Sequence, residues 1–140
     1  MDRRAEARWT GDLKSGKGHI KLGSGAFEGP FSFISRFESG SGTNPEELLG
    51  AAQAGCFTMA LSAALATICH PVTSVETTAT VHLEQGAGGS TITGIDLKTR
   101  GKVPGVSAET FKRMAEETKT GCIMSRALSA VPMTVDAELV

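Results

Sequence analysis

The first third of the chain alternates between apolar and polar residues, which is the pattern of strands with one buried face. Alternating segments over 5–10 and 19–22 predict two strands. Glycines and a proline mark a hairpin turn after the second strand, and a third strand is predicted over Phe31–Phe37. The phenylalanines of that strand would share one face, so Arg36 is predicted to point away from them.

The pattern changes after the loop 39–43, where a long helix is predicted. Asn44 is a favoured N-cap, Pro45 suits the first helical position, and Glu47 completes a capping-box arrangement. The segment 48–69 is rich in Ala, Leu and Met and ends before a proline. Because this helix is apolar nearly all round, we expect it to be buried on most sides, with a partner subunit supplying part of the cover.

No Asp, Glu, Lys or Arg occurs from Leu48 to Val75, and a stretch of that length could span a bilayer. Glycine, glutamine, serine and threonine interrupt it, however, and alanine is its main apolar residue. We therefore favour a buried helix over a membrane span, and we expect no membrane partner.

The second half of the chain predicts two strands, two helices and a last strand. The strands over 75–84 and 91–100 are joined by a hairpin loop, with a bulge expected at Gly94. Ser107 caps a helix that Gly121 ends, a short helix follows from Cys122, and 133–139 forms the last strand. This order of elements predicts an α+β fold with a mostly antiparallel sheet, in a single domain over residues 1–140.

Composition and charge exclude several classes of function. With 14 basic and 15 acidic residues the net charge is −1, and aromatic residues make up only 5%, so we expect no nucleic-acid partner. An odd number of cysteines, three, and an N-terminal segment without a signal-peptide pattern favour a reducing, cytoplasmic setting. No Cys-x-x-Cys pair occurs and the three histidines lie in separate predicted elements, so no metal site or cofactor is expected.

The spacing of the three cysteines limits which thiols can pair. Cys69 lies about 20 Å beyond Cys56 along the predicted helix, so these two cannot form a disulfide within one chain while the helix is intact. An intrachain partner of Cys56 would have to be Cys122. The alternative that all three thiols are small buried side chains remains open on spacing alone.

Two of these thiols differ in how they could become reactive. Cys122 lies at a predicted helix start, which lowers a thiol pKa, and its place at an element boundary predicts that it is accessible. Cys56 is predicted in mid-helix and would need a nearby cation, for which Arg36 is the candidate. A solvated surface arginine is the ordinary alternative for Arg36.

At this point the residues support a family resemblance. The segment 36–61, which contains Asn44-Pro-Glu46 and Ala54-Gly-Cys56-Phe, resembles the OsmC/Ohr family of thiol peroxidases and is most similar to its OsmC branch. Trp9-Thr-Gly-Asp, Val103-Pro-Gly and Lys119-Thr-Gly-Cys122 are also similar, so the resemblance covers essentially the whole chain.

The resemblance implies a function and a set of site residues. Members of the family reduce organic hydroperoxides, and the matching positions make Cys56 the peroxidatic thiol and Cys122 the resolving thiol. Arg36 and Glu46 match the arginine and glutamate that assist. The family is a homodimer with both central helices buried between two sheets, and an external dithiol, often a lipoylated protein, resets its redox-active disulfide.

Helix length adds a geometric expectation to this resemblance. Glu46 and Cys56 lie about 15 Å apart along one predicted helix, a span that an arginine can hardly bridge. We therefore expect each site to combine Glu46 and Arg36 of one subunit with the two cysteines of the other. Two departures are notable, since Gln53 stands where OsmC members often have histidine, and Cys69 is outside the family pattern and is expected to be a buried bystander.

Two other classes of function compete with the peroxidase. Cys56 could act in a hydrolase or acyltransferase if a histidine such as His82 lay beside it, although the strand pattern favours an exposed His82. A non-catalytic dimer that binds an apolar ligand between its helices is the third hypothesis.

Overall fold

The computed structural model describes residues 1–140. The chain forms two compact units, an N-terminal unit over Met1–Leu48 and a C-terminal unit over Leu49–Val140. The longest helix, α2 (Pro45–Thr67), begins in the first unit and continues into the second. The fold is α+β, as the sequence predicts.

The N-terminal unit is built on a three-stranded antiparallel sheet. Its strands are β1 (Ala5–Thr10), β2 (Lys17–Leu22) and β3 (Glu28–Phe31), in that spatial order. The predicted hairpin turn between β2 and β3 is confirmed, with Gly25 at a φ of 75°, a conformation that suits glycine.

The prediction of a third strand over Phe31–Phe37 is wrong for most of that segment. The strand ends at Phe31, and the short helix α1 (Phe33–Phe37) follows. Ser32 and Ser35 form a reciprocal capping box that starts this helix, and the rings of Phe33 and Phe37 meet one turn apart at 5.0 Å. The spacing of apolar residues in Phe-Ser-Phe-Ile-Ser-Arg-Phe is compatible with a strand and with a helix. The hydrogen bonds of the two capping serines stabilise the helix.

The C-terminal unit contains a second three-stranded sheet, in the order β4, β5, β6. The strands β4 (Ser74–Gly86) and β5 (Gly89–Lys102) form the predicted hairpin, and the expected bulge lies one residue before Gly94, since Gly94 pairs with His82 and Thr93 is left unpaired. The last strand, β6 (Met133–Leu139), is parallel to β5, because α3 (Ala108–Gly121) and α4 (Ile123–Ala127) connect them as a crossover.

The core of the C-terminal unit lies between the helices and this sheet. Its largest fully buried apolar side chains come from α2, β5 and α3, namely Phe57, Leu61, Leu65, Ile95, Leu97 and Phe111. The ring of Phe111 lies so close to Gly101 that a side-chain carbon at that position would be 2.4 Å from it, which explains the glycine. This packing fixes α2 and α3 against β5.

Within a single chain, helix α2 is buried along only one stripe of its surface. Glu46, Gly50, Gln53, Phe57, Leu61 and Leu65 form the buried stripe, at helical spacing. The opposite face is exposed, and it consists mainly of small apolar residues together with Met59, which is 77% exposed. By length and composition the helix could cross a membrane, but core helices of other proteins meet the same criterion.

Candidate active site

Arg36 and Glu46 form a two-pronged ion pair in the N-terminal unit. The Arg36 Nη2 atom lies 2.8 Å from Glu46 Oε1, and Arg36 Nε lies 3.1 and 3.3 Å from Oε1 and Oε2. Such a fork fixes both the position and the plane of the guanidinium. Both residues were predicted as site residues from the sequence, and the structure shows that they form an ion pair within one chain.

The local structure explains why this pair forms. Arg36 lies in the last turn of α1, and its guanidinium carbon is 5.0 Å from the centroid of the Phe37 ring. The predicted orientation of Arg36 away from the phenylalanines is therefore wrong, because the segment is helical. Asn44 links the two helices, since its amide nitrogen donates to the Ser35 carbonyl while its amide oxygen accepts from the Glu47 N–H.

The carboxylate of Glu46 is buried at the start of α2. Its side chain is only 10% exposed, whereas that of Arg36 is 39% exposed. Burial penalises a carboxylate, and the bidentate arginine together with the helix N-terminus offsets that cost. The capping of this helix is confirmed only in part, because Asn44 caps Glu47 but the Glu47 side chain binds the Thr43 hydroxyl.

Cys56 and Cys122 meet in the C-terminal unit, although they are 66 residues apart (122 − 56). Cys56 Sγ accepts a hydrogen bond from the Met124 N–H over 3.5 Å, and Cys122 is the N-cap of the same short helix, two residues before Met124. All three cysteines of the chain are free thiols in this structure. The arrangement therefore brings two reduced thiols to the same helix start.

Cys122 occupies the junction of α3 and α4. Its N–H donates to the Thr118 carbonyl at the end of α3, and its sulfur accepts from the Ser125 N–H at the start of α4. The predicted helix start at Cys122 is confirmed. The predicted accessibility is wrong, since Cys122 is only 4% exposed beneath the side chains of α2 and α3.

The surroundings of Cys122 favour its thiolate. Burial by itself would raise the pKa of this thiol, but hydrogen bonds from the Ser125 hydroxyl, the Ser125 N–H, Cys56 and the Met124 N–H outweigh it. The pKa of Cys122 therefore lies below its ordinary value. The direction of this shift agrees with the prediction from the helix start, and the Ser125 hydroxyl and the Cys56 side chain add to it.

Gln53 is a member of this cluster that sequence reasoning noted only as a departure from the family. Its side chain is fully buried, with Nε2 at 2.8 Å from Ser125 Oγ and 3.8 Å from Cys122 Sγ. Ser125 itself was missed. The available signals were a glutamine in an otherwise apolar helix, three residues before Cys56, and a serine three residues after Cys122.

A small hollow of about 270 Å³ opens beside Cys122. It is lined by α2 and α3, with apolar side chains from Ala60, Ala64 and Met114 and polar ones from Glu117 and Thr118. A short organic chain could enter such a hollow with its apolar part against the alanines and the methionine.

Cys69 does not belong to this cluster. It lies two residues beyond the end of α2, in a left-handed conformation with a φ of 62°, and it is exposed. The expectation of a buried Cys69 within the helix is wrong, because α2 ends at Thr67 and a tight turn reverses the chain before Pro71.

His82 binds an aspartate rather than a cysteine. Its Nε2 atom lies 2.8 Å from Asp96 Oδ2 across the β4–β5 pair, and its side chain is 42% exposed, as the strand pattern predicts. Cys56 has Cys122 and the Met124 N–H as its neighbours instead. No group of three or more His, Cys, Asp and Glu side chains in residues 1–140 is arranged to hold a metal ion.

Comparisons with known proteins identify the family. The family model described as OsmC-like protein matches residues 38–137. The chain belongs to the OsmC-like family. Two proteins named Peroxiredoxin OsmC, from Escherichia coli strain K12 and Shigella flexneri, are each 44% identical to it over 140 residues, covering 99% of this chain and 97% of the relative.

Solved structures share the OsmC-like fold. The organic hydroperoxide resistance protein OhrB of Bacillus subtilis is 23% identical with a TM-score of 0.72, and the match covers 98% of both chains. An organic hydroperoxide resistance protein from Elizabethkingia anophelis has 22% identity and a TM-score of 0.75, over 98% of this chain and 96% of the other. The predicted family, the predicted α+β fold and the prediction of a peroxidase are confirmed.

Proposed function

We propose that this OsmC-like protein reduces organic hydroperoxides to alcohols through Cys56 and Cys122. The observation that carries the proposal is that both thiols lie at the start of α4, where Cys122 is the N-cap and Cys56 Sγ accepts from the Met124 N–H, in a chain 44% identical to proteins named Peroxiredoxin OsmC. The names of the structural relatives, organic hydroperoxide resistance proteins, agree with that class of substrate.

The chemistry proceeds in three balanced steps. The Cys56 thiolate attacks one oxygen of the peroxide, so an S–O bond forms, the O–O bond breaks, and the alkoxide leaves as an alcohol after taking a proton. The Cys122 thiolate then attacks the resulting sulfenic acid, an S–S bond forms, and hydroxide leaves and is protonated to water. An external dithiol, for which we propose a lipoylated protein, reduces the disulfide and is itself oxidised.

In this proposal Arg36 stabilises the Cys56 thiolate and polarises the peroxide, while Glu46 holds the guanidinium. The bidentate geometry of the pair supports such a role, because it fixes the direction of the donors. We propose that each pair serves the cysteines of a second subunit, on the ground that Glu46 and Cys56 lie about 15 Å apart along one helix.

A homodimer is part of the same proposal. The exposed apolar face of α2, with Met59 at its centre, supports it, because an isolated chain would leave that face in water. We further propose that residues 1–140 act as one OsmC-like domain in the cytoplasm. The family match over residues 38–137 includes parts of both units and supports a single domain.

Thiol mapping after oxidation tests the proposal directly. One equivalent of cumene hydroperoxide is added to the reduced protein, and the thiols are assigned by mass spectrometry. The expected product is a Cys56–Cys122 disulfide with Cys69 free, formed equally in a Cys69→Ser control and absent from Cys56→Ser. Unchanged thiols in the natural protein, or oxidation unaffected by Cys56→Ser, would overturn it.

A further inference from the structure

Gln53 is an anomaly in the buried stripe of α2. Its neighbours along that stripe are glycine, phenylalanine and leucine, and its side chain is fully buried. Its Oε1 atom has no hydrogen-bond partner. A buried, unpaired carbonyl is costly, and a methionine or leucine of similar volume would avoid that cost. The unpaired carbonyl of Gln53 therefore costs stability that an apolar side chain would not.

The other end of the amide shows what the glutamine does there. Gln53 Nε2 donates to Ser125 Oγ over 2.8 Å and, through a much longer contact of 3.8 Å, to Cys122 Sγ, while Ser125 Oγ lies 3.0 Å from Cys122 Sγ. An amide NH₂ group can only donate, so it occupies an acceptor position on the serine oxygen. The single hydroxyl proton of Ser125 is then free to point at the sulfur.

We propose that Gln53 and Ser125 form a relay of two positioning residues that holds Cys122 ready as a thiolate for attack on the Cys56 sulfenic acid. The inference rests on the proposed function and extends it to the resolving step. In that step the relay stabilises the attacking sulfur before reaction, the S–S bond forms as hydroxide leaves, and the neutral disulfide sulfur then accepts the serine hydrogen bond less strongly.

The relay has a consequence for the disulfide as well. Stabilising the thiolate stabilises the reduced form, so an external dithiol reduces the disulfide more readily. Loss of the relay would make the disulfide harder to reduce, by about 30 mV for each tenfold change in the equilibrium constant. This effect is present above the pKa of Cys122 and disappears below it, where the reduced sulfur is protonated.

Few ionisable groups lie around Cys122 besides its partner thiol. Glu117 lines the same hollow and is ion-paired with Arg113, and Lys119 of α3 is ion-paired with Glu116. Ser125 borders a second hollow, whose charged lining residues are Lys119 and Arg126. The two basic residues favour a thiolate and Glu117 opposes it, so neutral variants at Gln53 and Ser125 separate the relay from these charges.

The test is a titration of Cys122 as the only thiol. In a Cys56→Ser, Cys69→Ser background, the ultraviolet absorbance of the thiolate is followed against pH, and the absence of tyrosine from the chain keeps tyrosinate out of the signal. We expect Gln53→Met and Ser125→Ala each to raise the midpoint by about one unit, a tenfold lower thiolate fraction below both midpoints. The matched control Thr99→Val removes another buried hydroxyl and should leave the midpoint unchanged.

The relay also predicts how the variants combine. If Gln53 acts mainly through Ser125, adding Gln53→Met to Ser125→Ala should shift the titration midpoint of Cys122 little further. Ser125→Thr keeps a hydroxyl at this position and should leave the midpoint at the value found with serine. Thermal unfolding should show Gln53→Met at least as stable as the natural chain. Should Gln53→Met fail to fold, the midpoint of Ser125→Ala decides the matter.

Unchanged midpoints in the folded variants would overturn the relay. Because the titration uses no hydroperoxide, this failure is separate from that of the proposed function. A protein whose thiols ignore cumene hydroperoxide would contradict the peroxidase, whereas a protein that forms the disulfide but shows unmoved midpoints would contradict the relay alone.

Discussion

Arg36 binds Glu46 through two guanidinium nitrogens, across a separation of ten residues that contains the loop between two helices. The pair exists because the segment around Arg36 forms a short capped helix instead of continuing as a strand. A buried carboxylate at the start of α2 thus fixes a half-exposed arginine whose donors are directed rather than free to move.

Replacing Arg36 by lysine tests the value of that direction. Lysine keeps the charge but loses the bidentate geometry, and charge-assisted hydrogen bonds contribute about 1.5–3 kcal/mol each. We expect Arg36→Lys to slow oxidation of Cys56 by cumene hydroperoxide about ten- to a hundredfold. Arg100→Lys, at an exposed pair with Glu138, is the control and should react at the natural rate. Equal rates for the two variants would show that the fork is not needed.

A charge on the exposed face of α2 tests the dimer. Met59→Glu places a carboxylate on an apolar face that we propose is covered by a second subunit, where burying it costs several kcal/mol. We expect analytical ultracentrifugation to show monomers and the peroxidase rate to fall with them. Leu13→Glu, at another exposed apolar residue, should remain dimeric. A monomeric and fully active Met59→Glu would contradict sites built from two subunits.

The lowered pKa of Cys122 predicts a pH dependence of stability. Between the folded pKa and the higher pKa of the unfolded thiol, the unfolded state binds more protons, so the free energy of unfolding rises with pH. Below the folded pKa this contribution is lost. Urea unfolding of the reduced protein should therefore show a rise in the free energy of unfolding between these two pKa values that Cys122→Ser lacks. Parallel curves for the two proteins would argue against a stabilised thiolate.

The left-handed backbone at Cys69 predicts a stabilising substitution. A side chain at a φ of 62° is strained, whereas glycine adopts this conformation freely, and helices commonly end on such a glycine. We expect Cys69→Gly to raise the free energy of unfolding by up to about 1 kcal/mol, and Cys69→Val to lower it. Neither should alter the disulfide formed with hydroperoxide, because Cys69 lies outside the thiol cluster. Oxidation products that change would give Cys69 a role.

Much of the fold could be predicted from the sequence, because its signals are local. Ser107 and the apolar spacing after it define α3, and the phase slip at Gly94 marks the bulge in β5. The segment 31–37 could not be settled by periodicity, since its phenylalanines fit a strand as well as a helix. Only the pairing of Ser32 with Ser35 distinguishes the two.

The candidate site, like the fold, could be predicted from the sequence only in part. Cys56 and Cys122 could be singled out as a pair through helix length and the family resemblance, and the structure places both at the start of α4. The sequence could not predict that Cys122 is buried or that Gln53 and Ser125 contact it. Both depend on how α4 packs against α2, and no local sequence pattern determines that packing. The exposure of Cys69 depends on where the helix ends, a boundary that Pro71 fixes only to within a few residues.

The parallel pairing of β6 with β5 has a consequence for how the protein is made. Cys122 lies in the crossover that precedes β6, so its docking against α2 closes a long loop of chain and depends on non-local contacts. During synthesis Cys56 emerges long before Cys122 is translated, and the two thiols meet only when this unit has folded. The pair of thiols is therefore assembled by completed folding, and a truncated or newly emerging chain lacks it.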